Sequence, residues 1–288
     1  MIESSVEFLL SSGPMSQTNN WVDAHGHLAD PRWSDHEVKS LVTESHELGL
    51  GFFMQGGVSP EDWQRQISLA QKFPRKIGLC FGLHPYFVAQ NEEALCEIAL
   101  DSLAQIVGSA LALGELGLDF RPHIMKDSQG RQLDYFEKQL ELAEVAHKPV
   151  VLHLVQAHHE ALRVFDVWGV PPRGGMIHSF NASAAVAEDY LKRGFYLSVG
   201  GPLCRPENKK LHQAVREIPL ERLLLESDSP DQSPPQYKDQ KNPPYSIIDV
   251  AEKVATLRNM SPLEVLDIAT ANFWRLMPNK NEPPATQG

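Results

Sequence analysis

Two histidines and an acid lie close together near the start of the chain, in residues 22–27 (VDAHGH). An apolar lead that begins at Trp21 predicts a β-strand here. Side chains two positions apart on a strand point to the same face. Asp23, His25 and His27 are therefore expected to project together, and two imidazoles on one face can bind one metal ion. A polar turn that merely contains two histidines is the alternative for this segment taken alone.

Further metal-ligand types recur along the chain, each at the end of a short apolar run. They are Glu115, His153, His178 and Asp228. A lone histidine in a strand is usually a core or loop residue, but packing alone does not explain a ligand at one strand end after another. Four imidazoles and two carboxylates are too many for one catalytic ion with an open position. The set predicts two divalent ions per chain (magnesium, manganese or zinc), bridged by Glu115, which can activate water and stabilise a leaving oxygen.

Apolar runs that predict strands alternate with helical patterns throughout the chain. These runs are near residues 21–27, 51–54, 76–83, 110–115, 149–153, 175–178, 195–199 and 222–228. Continuous apolar runs are typical of parallel strands that are covered on both faces. The pattern predicts an α/β fold, a (β/α)8 TIM barrel, with its chemistry at the carboxyl ends of the strands. A doubly wound open sheet is the second choice, although no GxGxxG follows the first strand.

One hydrolase domain is expected over residues 21–278, between a flexible N-terminal tail, residues 1–20, and a C-terminal tail, residues 279–288. No apolar run reaches the roughly 20 residues of a membrane helix. Three widely spaced cysteines without a CxxC pair predict a reducing, cytoplasmic compartment. We expect a monomer without an obligate protein partner. The net charge of −11 gives no general attraction for nucleic acid, so a polyanion would need a local basic patch or a metal.

Several short segments together resemble the TatD-type metal-dependent hydrolases, a deoxyribonuclease family of amidohydrolase-like barrels. The matching segments are 23–27 (DAHGH), 82–85 (GLHP), 114–119 (GELGLD), 136–143 (FEKQLELA), 178–181 (HSFN), 224–230 (LLESDSP) and 242–244 (NPP). They follow the same order as in the family and extend the resemblance over residues 21–277.

The resemblance implies roles for these residues. One ion would be held by His25, His27, Glu115 and Asp228, and the other by Glu115, His153 and His178. Glu115 and Asp228 would be the catalytic residues. Asp228 would also orient or deprotonate the attacking water, although a metal-bound carboxylate is a poor base.

Three more residues receive supporting roles from the resemblance. Asp23 and Glu226 would fix the imidazoles or close the site. A salt bridge at the barrel rim is the alternative for Glu226. His84 would bind a substrate phosphate, or it would cap the chain before Pro85.

One segment departs from the family pattern. After the fifth-strand histidine the family usually has a polar residue, then arginine and aspartate, whereas His153 is followed here by Leu154, Val155 and Gln156. Arginine binds phosphate through a bidentate fork that valine cannot make. The basic residues beyond other strand ends that could compensate are Arg121, Arg205, Lys209 and Lys210. A solvated face is the alternative for these four.

The resemblance implies a 3′–5′ exonuclease that acts on single-stranded or damaged DNA through water activated by two metals. A second hypothesis keeps the metals and changes the substrate to an ester or amide, such as a lactone or an aminoacyl ester on tRNA. Val155 favours this second hypothesis. Related amide hydrolases often bridge their metals with a carboxylated lysine, so Glu115 favours the phosphodiester branch. A non-catalytic binding protein ranks last because the ligand set is complete.

Overall fold

The computed structural model of the chain describes residues 20–277. The two predicted tails lie outside these residues, except for Asn20. Within the described part, no helix is both long and apolar enough to cross a bilayer.

The strands are short and run parallel to one another. They are β1 (Trp21–Gly26), β2 (Leu50–Gln55), β3 (Ile77–Gly78), β4 (Cys80–Phe81), β5 (Ala112–Asp119), β6 (Val150–Val155), β7 (Gly175–Ile177), β8 (Tyr196–Val199) and β9 (Leu223–Leu225). Their hydrogen-bonded order is β1-β2-β3 and β4-β5-β6-β7-β8-β9. The predicted third strand is therefore interrupted at Leu79, and β3 and β4 are its two halves. The ladder of eight strand positions follows the order of the sequence.

Backbone hydrogen bonds between the first and last strand positions close the ladder. The amide of Asp228 donates to the carbonyl of His25 at 3.0 Å, and the amide of His27 donates to the carbonyl of Ser229 at 2.7 Å. A doubly wound open sheet would leave these two edges apart. The predicted (β/α)8 barrel is confirmed.

Helices cover the outside of the barrel. They are α1 (Asp35–Glu47), α2 (Pro60–Lys72), α3 (Pro85–Gln90), α4 (Glu93–Ile106), α5 (Pro122–Met125), α6 (Gln129–Val145), α7 (His158–Trp168), α8 (Ala184–Lys192), α9 (Lys209–Glu217), α10 (Ile247–Arg258) and α11 (Pro262–Leu276). Local sequence signals explain where some begin. Ser34 forms a reciprocal capping box with Glu37, and Ser59 caps a helix whose first residue is Pro60.

Successive strand residues divide between two apolar layers. In β6, Val151 belongs to the cluster inside the barrel, whereas Val150 and Leu152 pack against the surrounding helices. Phe273 and Leu276 of α11 also belong to the inner cluster. Trp21 donates a 2.8 Å hydrogen bond from Nε1 to Asp267 of the same helix. Packing on both faces explains the continuous apolar runs and holds the strands that carry the ligand-type residues.

Candidate metal centre

Glu115 lies inside the barrel and is 2% exposed. The sequence places Glu115 and His153 at strand ends, and this is wrong. Strand β5 continues beyond Glu115 to Asp119, and β6 continues beyond His153 to Val155. Asp119 pairs with Val155 between these strands, so the ladder extends past both residues. The candidate centre is consequently set below the rim of the barrel.

The two carboxylate oxygens of Glu115 face different pairs of histidines. Oε1 lies 3.3 Å from Nε2 of His25 and 3.2 Å from Nε2 of His27. Oε2 lies 3.0 Å from Nε2 of His178 and 3.4 Å from Nδ1 of His153. One carboxylate therefore joins two groups of imidazoles that come from three different strand positions.

Asp228 joins the first of these groups. Its Oδ1 lies 3.3 Å from Nε2 of His27 and 3.8 Å from Nε2 of His25. Its Oδ2 accepts a hydrogen bond from the side-chain amide of Gln232. Asp228 has a left-handed φ of 53°, a conformation that aspartate adopts more readily than most residues. The turn after β9 thus brings a carboxylate to His25 of β1 and to His27, which follows β1.

Unpaired buried atoms test whether these residues fit divalent ions. Nε2 of His25 and Oε1 of Glu115 are buried and have no hydrogen-bond partner within residues 20–277. A buried polar atom left unpaired costs about 1–3 kcal/mol. In the second group, Nδ1 of His153 lies 3.1 Å from Nε2 of His178. In each group, imidazole nitrogens and carboxylate oxygens converge, and these are atom types that ligate divalent cations.

Glycine at position 56 keeps the first group open. A Cβ atom on Gly56 would lie 2.5 Å from Oε1 of Glu115, 2.5 Å from Cε1 of His27 and 2.6 Å from Cε1 of His25. Real Cβ atoms essentially never approach another heavy atom so closely. The backbone after β2 therefore forms a wall against the ligand-type residues that tolerates no side chain.

Charges within the centre strongly influence its titration. Burial alone would raise the pKa of Glu115, but His178 and His25 hold that pKa well below its usual range. Burial opposes protonation of His27, but Asp228 and Glu115 raise the pKa of His27 to about 10. The carboxylates therefore favour a positive charge in this space. An ion that binds His27 must displace the proton.

Glu226 lies behind His178 and is completely buried. Its Oε1 is 3.7 Å from Nδ1 of His178 and accepts a hydrogen bond from the backbone amide of Ser179. The opposite ring nitrogen of His178 faces Glu115. Carboxylates in this position fix the orientation of ligating histidines. The burial of Glu226 argues against a salt bridge at the barrel rim.

Asp23 contacts Ser227 rather than an imidazole ring. Its carboxylate accepts hydrogen bonds from the amide of Ser227 at 2.9 Å and from the hydroxyl of Ser227 at 2.6 Å. Burial raises the pKa of Asp23 to about 8, although the Ser227 bonds oppose the rise. The pairing of β1 with β2 is irregular between Asp23 and Gly26, which breaks the two-residue period. Asp23 thus fixes the residue that precedes Asp228.

His84 caps a helix, as one of its two sequence-based alternatives predicts, and its ring also faces the candidate centre. Its Nδ1 accepts a 3.0 Å hydrogen bond from the amide of Tyr86 and caps α3. Its Nε2 lies 3.6 Å from Oε2 of Glu115. Burial, together with the neighbouring His153, holds the pKa of His84 well below its usual value. A neutral His84 whose Nδ1 accepts carries its proton on Nε2, which faces the centre.

A cleft of about 570 Å³ opens above the candidate centre. Its wall includes Val155, at the position where the family usually has arginine, and also Arg121 and Arg32. The cleft lining does not include the other candidate cations, Arg205, Lys209 and Lys210. Sequence reasoning assigns no role to the cleft residues Tyr86 and Gln232, since neither belongs to a motif that carries chemistry.

Asp119 is a further residue without a role in the sequence analysis. Its Oδ2 lies 3.2 Å from Nε2 of His153, and it is fully buried. Its place in the segment GELGLD (114–119), four residues after Glu115 on one strand, is the signal that could have identified it.

Comparisons with known proteins identify the family. A family model described as "TatD related DNase" matches residues 22–278. The chain belongs to this family. The TatD-type resemblance is therefore confirmed over nearly the whole chain, and the protein is a metal-dependent hydrolase of the TatD family.

Relatives of this TatD-family chain cover it almost end to end. It is 30% identical to the "uncharacterized metal-dependent hydrolase YabD" of Bacillus subtilis, over 88% of this chain and 97% of that protein. It is also 30% identical to the "3'-5' ssDNA/RNA exonuclease TatD" of Cronobacter sakazakii, over 87% of this chain and 95% of that protein. The crystal structure of YjjV, a TatD homologue from Escherichia coli, matches with a TM-score of 0.81 and 26% identity, over 92% of this chain and 99% of YjjV.

Proposed function

We propose that this protein hydrolyses phosphodiester bonds in DNA as a 3′–5′ exonuclease with a preference for single-stranded or damaged strands. The observation that carries the proposal is the division of the Glu115 carboxylate between two pairs of histidines, at 3.2–3.3 Å and 3.0–3.4 Å. Such a carboxylate can serve two divalent ions at once. Paired ions, when bound, lower the pKa of water and stabilise both the attacking and the leaving oxygen of a displacement.

The ligand-type residues have distinct tasks in this proposal. His25, His27 and Asp228 hold one side of the centre, His153 and His178 hold the other, and Glu115 serves both. The side-chain amide of Gln232 donates a hydrogen bond to Oδ2 of Asp228. Oδ1 of Asp228 therefore faces the histidines, where this oxygen can bind a metal or orient the attacking water. His84 presents a neutral Nε2–H toward Glu115, which is suited to donate a hydrogen bond to a phosphate oxygen.

The dimensions of the cleft support action on a strand end. A volume of about 570 Å³ suits a small ligand or a single nucleotide with its phosphate. A nucleotide within an intact duplex would have to leave its stack before reaching Glu115 below the rim. Unstacking a nucleotide costs the least free energy at single-stranded ends and at damaged positions. The exonuclease name of the Cronobacter relative agrees with this substrate class.

The direct test is degradation of a 5′-labelled single strand with added Mg²⁺ or Mn²⁺. Wild type should produce a ladder that shortens from the 3′ end, and Glu115→Ala should produce none. Glu141→Ala removes an exposed carboxylate from α6 and is the matched control, with the wild-type rate expected. A metal-loaded wild type that leaves the strand intact would refute the nuclease proposal.

A second candidate function follows from Val155. Val155, Leu154 and Val58 contribute apolar surface to the lining of the cleft, and apolar surface suits an uncharged carboxylic ester or lactone. The same metal-loaded protein should then hydrolyse a neutral ester while leaving DNA intact. Faster turnover of DNA than of the ester would contradict this candidate.

A further inference from the structure

We propose that Arg121 is the residue that binds the substrate phosphate at the mouth of the cleft. The proposal rests on the proposed function, because it presumes a substrate with an anionic ester. It assigns to the end of β5 a cation that Val155 on β6 does not supply. The occupant of the site is a phosphate group, whether within a polynucleotide or in a smaller ester.

A buried carboxylate holds the Arg121 side chain in place. Nη2 donates to Oδ2 of Asp119 at 2.6 Å, and Nε donates to both carboxylate oxygens at 3.0 and 3.1 Å. The guanidinium carbon lies 5.4 Å from the centre of the Tyr86 ring. A guanidinium that Asp119 and Tyr86 already hold in place loses little conformational freedom when it binds a ligand.

One nitrogen of the guanidinium remains available. Nη1 of Arg121 has no hydrogen-bond or ion-pair partner within the described residues. Arg121 lines the cleft, and its side chain is 34% exposed. A donor that carries positive charge and faces a cleft without a partner is suited to a phosphate oxygen.

Strand pairing locates this charge near Val155 and near the candidate centre. Asp119 is the direct partner of Val155 in the β5–β6 ladder, and Arg121 folds back onto Asp119. Oδ2 of Asp119 lies 3.2 Å from Nε2 of His153. On the other side of the same ring, Nδ1 of His153 lies 3.4 Å from Oε2 of Glu115. A phosphate held by Arg121 would therefore be close to the hydrolytic groups.

Each guanidinium nitrogen of the other arginine in the cleft wall already donates to a carboxylate. Arg32 uses Nε and Nη2 on Asp30, at 3.0 and 2.8 Å. It uses Nη1 and Nη2 on Asp231, at 2.8 and 2.6 Å. Two carboxylates outweigh its single charge, so this corner of the cleft repels an anion. Arg121 is thus the better phosphate ligand of the two.

The test compares Arg121→Gln, Arg121→Lys and Arg193→Gln in the full-length, Mn²⁺-loaded protein. Arg193 also donates to an aspartate, Asp166, but it precedes β8 at the opposite end of the barrel. Its replacement changes the net charge equally without touching the cleft. The readouts are kcat/KM on the labelled strand, the dissociation constant of inorganic phosphate, the metal content and the unfolding temperature.

Arg121→Gln is expected to lower kcat/KM and weaken phosphate binding by about 10- to 100-fold, the loss of one charge-assisted hydrogen bond. Arg121→Lys should recover part of both, and Arg193→Gln should match wild type. Metal content should stay unchanged in all three. An Arg121→Gln protein that loses metal as well would show that the residue supports His153 through Asp119, and the proposal would be wrong.

The two proposals can fail separately. If wild type degrades DNA and Arg121→Gln does so equally well, the assignment of Arg121 is refuted while the nuclease proposal stands. If wild type leaves DNA intact but binds phosphate in an Arg121-dependent manner, the nuclease proposal fails and the phosphate site stands. Equal phosphate binding by wild type and Arg121→Gln refutes the site whatever the substrate.

Discussion

Replacing Gly56 with alanine should displace the ion that His25 and His27 would share, while the barrel remains folded. The new Cβ would lie 2.5 Å from Oε1 of Glu115, whereas ordinary contact begins at 3.4 Å. The ligands on that side must therefore retreat by about 0.9 Å, the difference between these distances. A misplacement of about 1 Å in a catalytic site costs roughly 100-fold in rate. Overpacking of this kind costs about 1–3 kcal/mol of stability.

The assay measures ions per chain and strand degradation on the same preparation of Gly56→Ala. We expect at least one ion to be lost per chain, with activity about 100-fold lower. Gly130→Ala is the matched control, because nothing lies within 4 Å of the Cβ that it would gain. Alanine inside α6 should be neutral or slightly stabilising. A Gly56→Ala protein with two ions and the wild-type rate would refute the position assigned to the first ion.

Three further predictions follow from contacts around the centre. Glu226→Gln removes the carboxylate behind His178 and should weaken binding of the second ion about 10- to 100-fold by metal titration; unchanged affinity would contradict that orienting role. In the metal-free protein, the fold raises the pKa of His27 from 6.5 to about 10. Protonated His27 therefore stabilises the folded state, and this contribution is fully present below pH 6.5 and is lost as the pH rises toward 10. The gap in unfolding temperature between metal-loaded and metal-free protein should therefore widen with pH, and a gap that narrows would contradict the assignment. Gln139 hydrogen-bonds both the amide and the carbonyl of Leu83, at 2.7 and 3.1 Å. Gln139→Ala should accordingly lower the free energy of unfolding by about 1–3 kcal/mol in denaturant melts. A variant that unfolds at the wild-type denaturant concentration would show that these two hydrogen bonds do not stabilise the fold.

The barrel can be predicted from the sequence because its strands are buried on both faces. Such strands require continuous apolar runs, and the runs alternate with helical patterns in chain order. The ends of the strands cannot be read in the same way. Glu115 interrupts an apolar run and resembles a strand end, although β5 continues to Asp119. The partners that make a buried carboxylate tolerable come from other strands and are invisible locally.

Some residues of the candidate centre can be predicted from the sequence, and others cannot. His25, His27, His153 and His178 stand out by residue type and position, and the structure brings all four around Glu115. Supporting contacts are harder to predict from the sequence. Strand alternation directs Asp23 toward the histidines, but an irregular β1–β2 pairing turns it to Ser227. The link between Arg121 and His153 through Asp119 depends on the register between β5 and β6, which no local pattern specifies.

The central claim is that Glu115 bridges two divalent ions. Anomalous diffraction from crystals grown with Mn²⁺ tests it most directly. The structure predicts two peaks about 3.5–4 Å apart, one beside Oε1 of Glu115 near His25 and His27, the other beside Oε2 near His153 and His178. A single peak, or two peaks that do not share the Glu115 carboxylate, would contradict the claim.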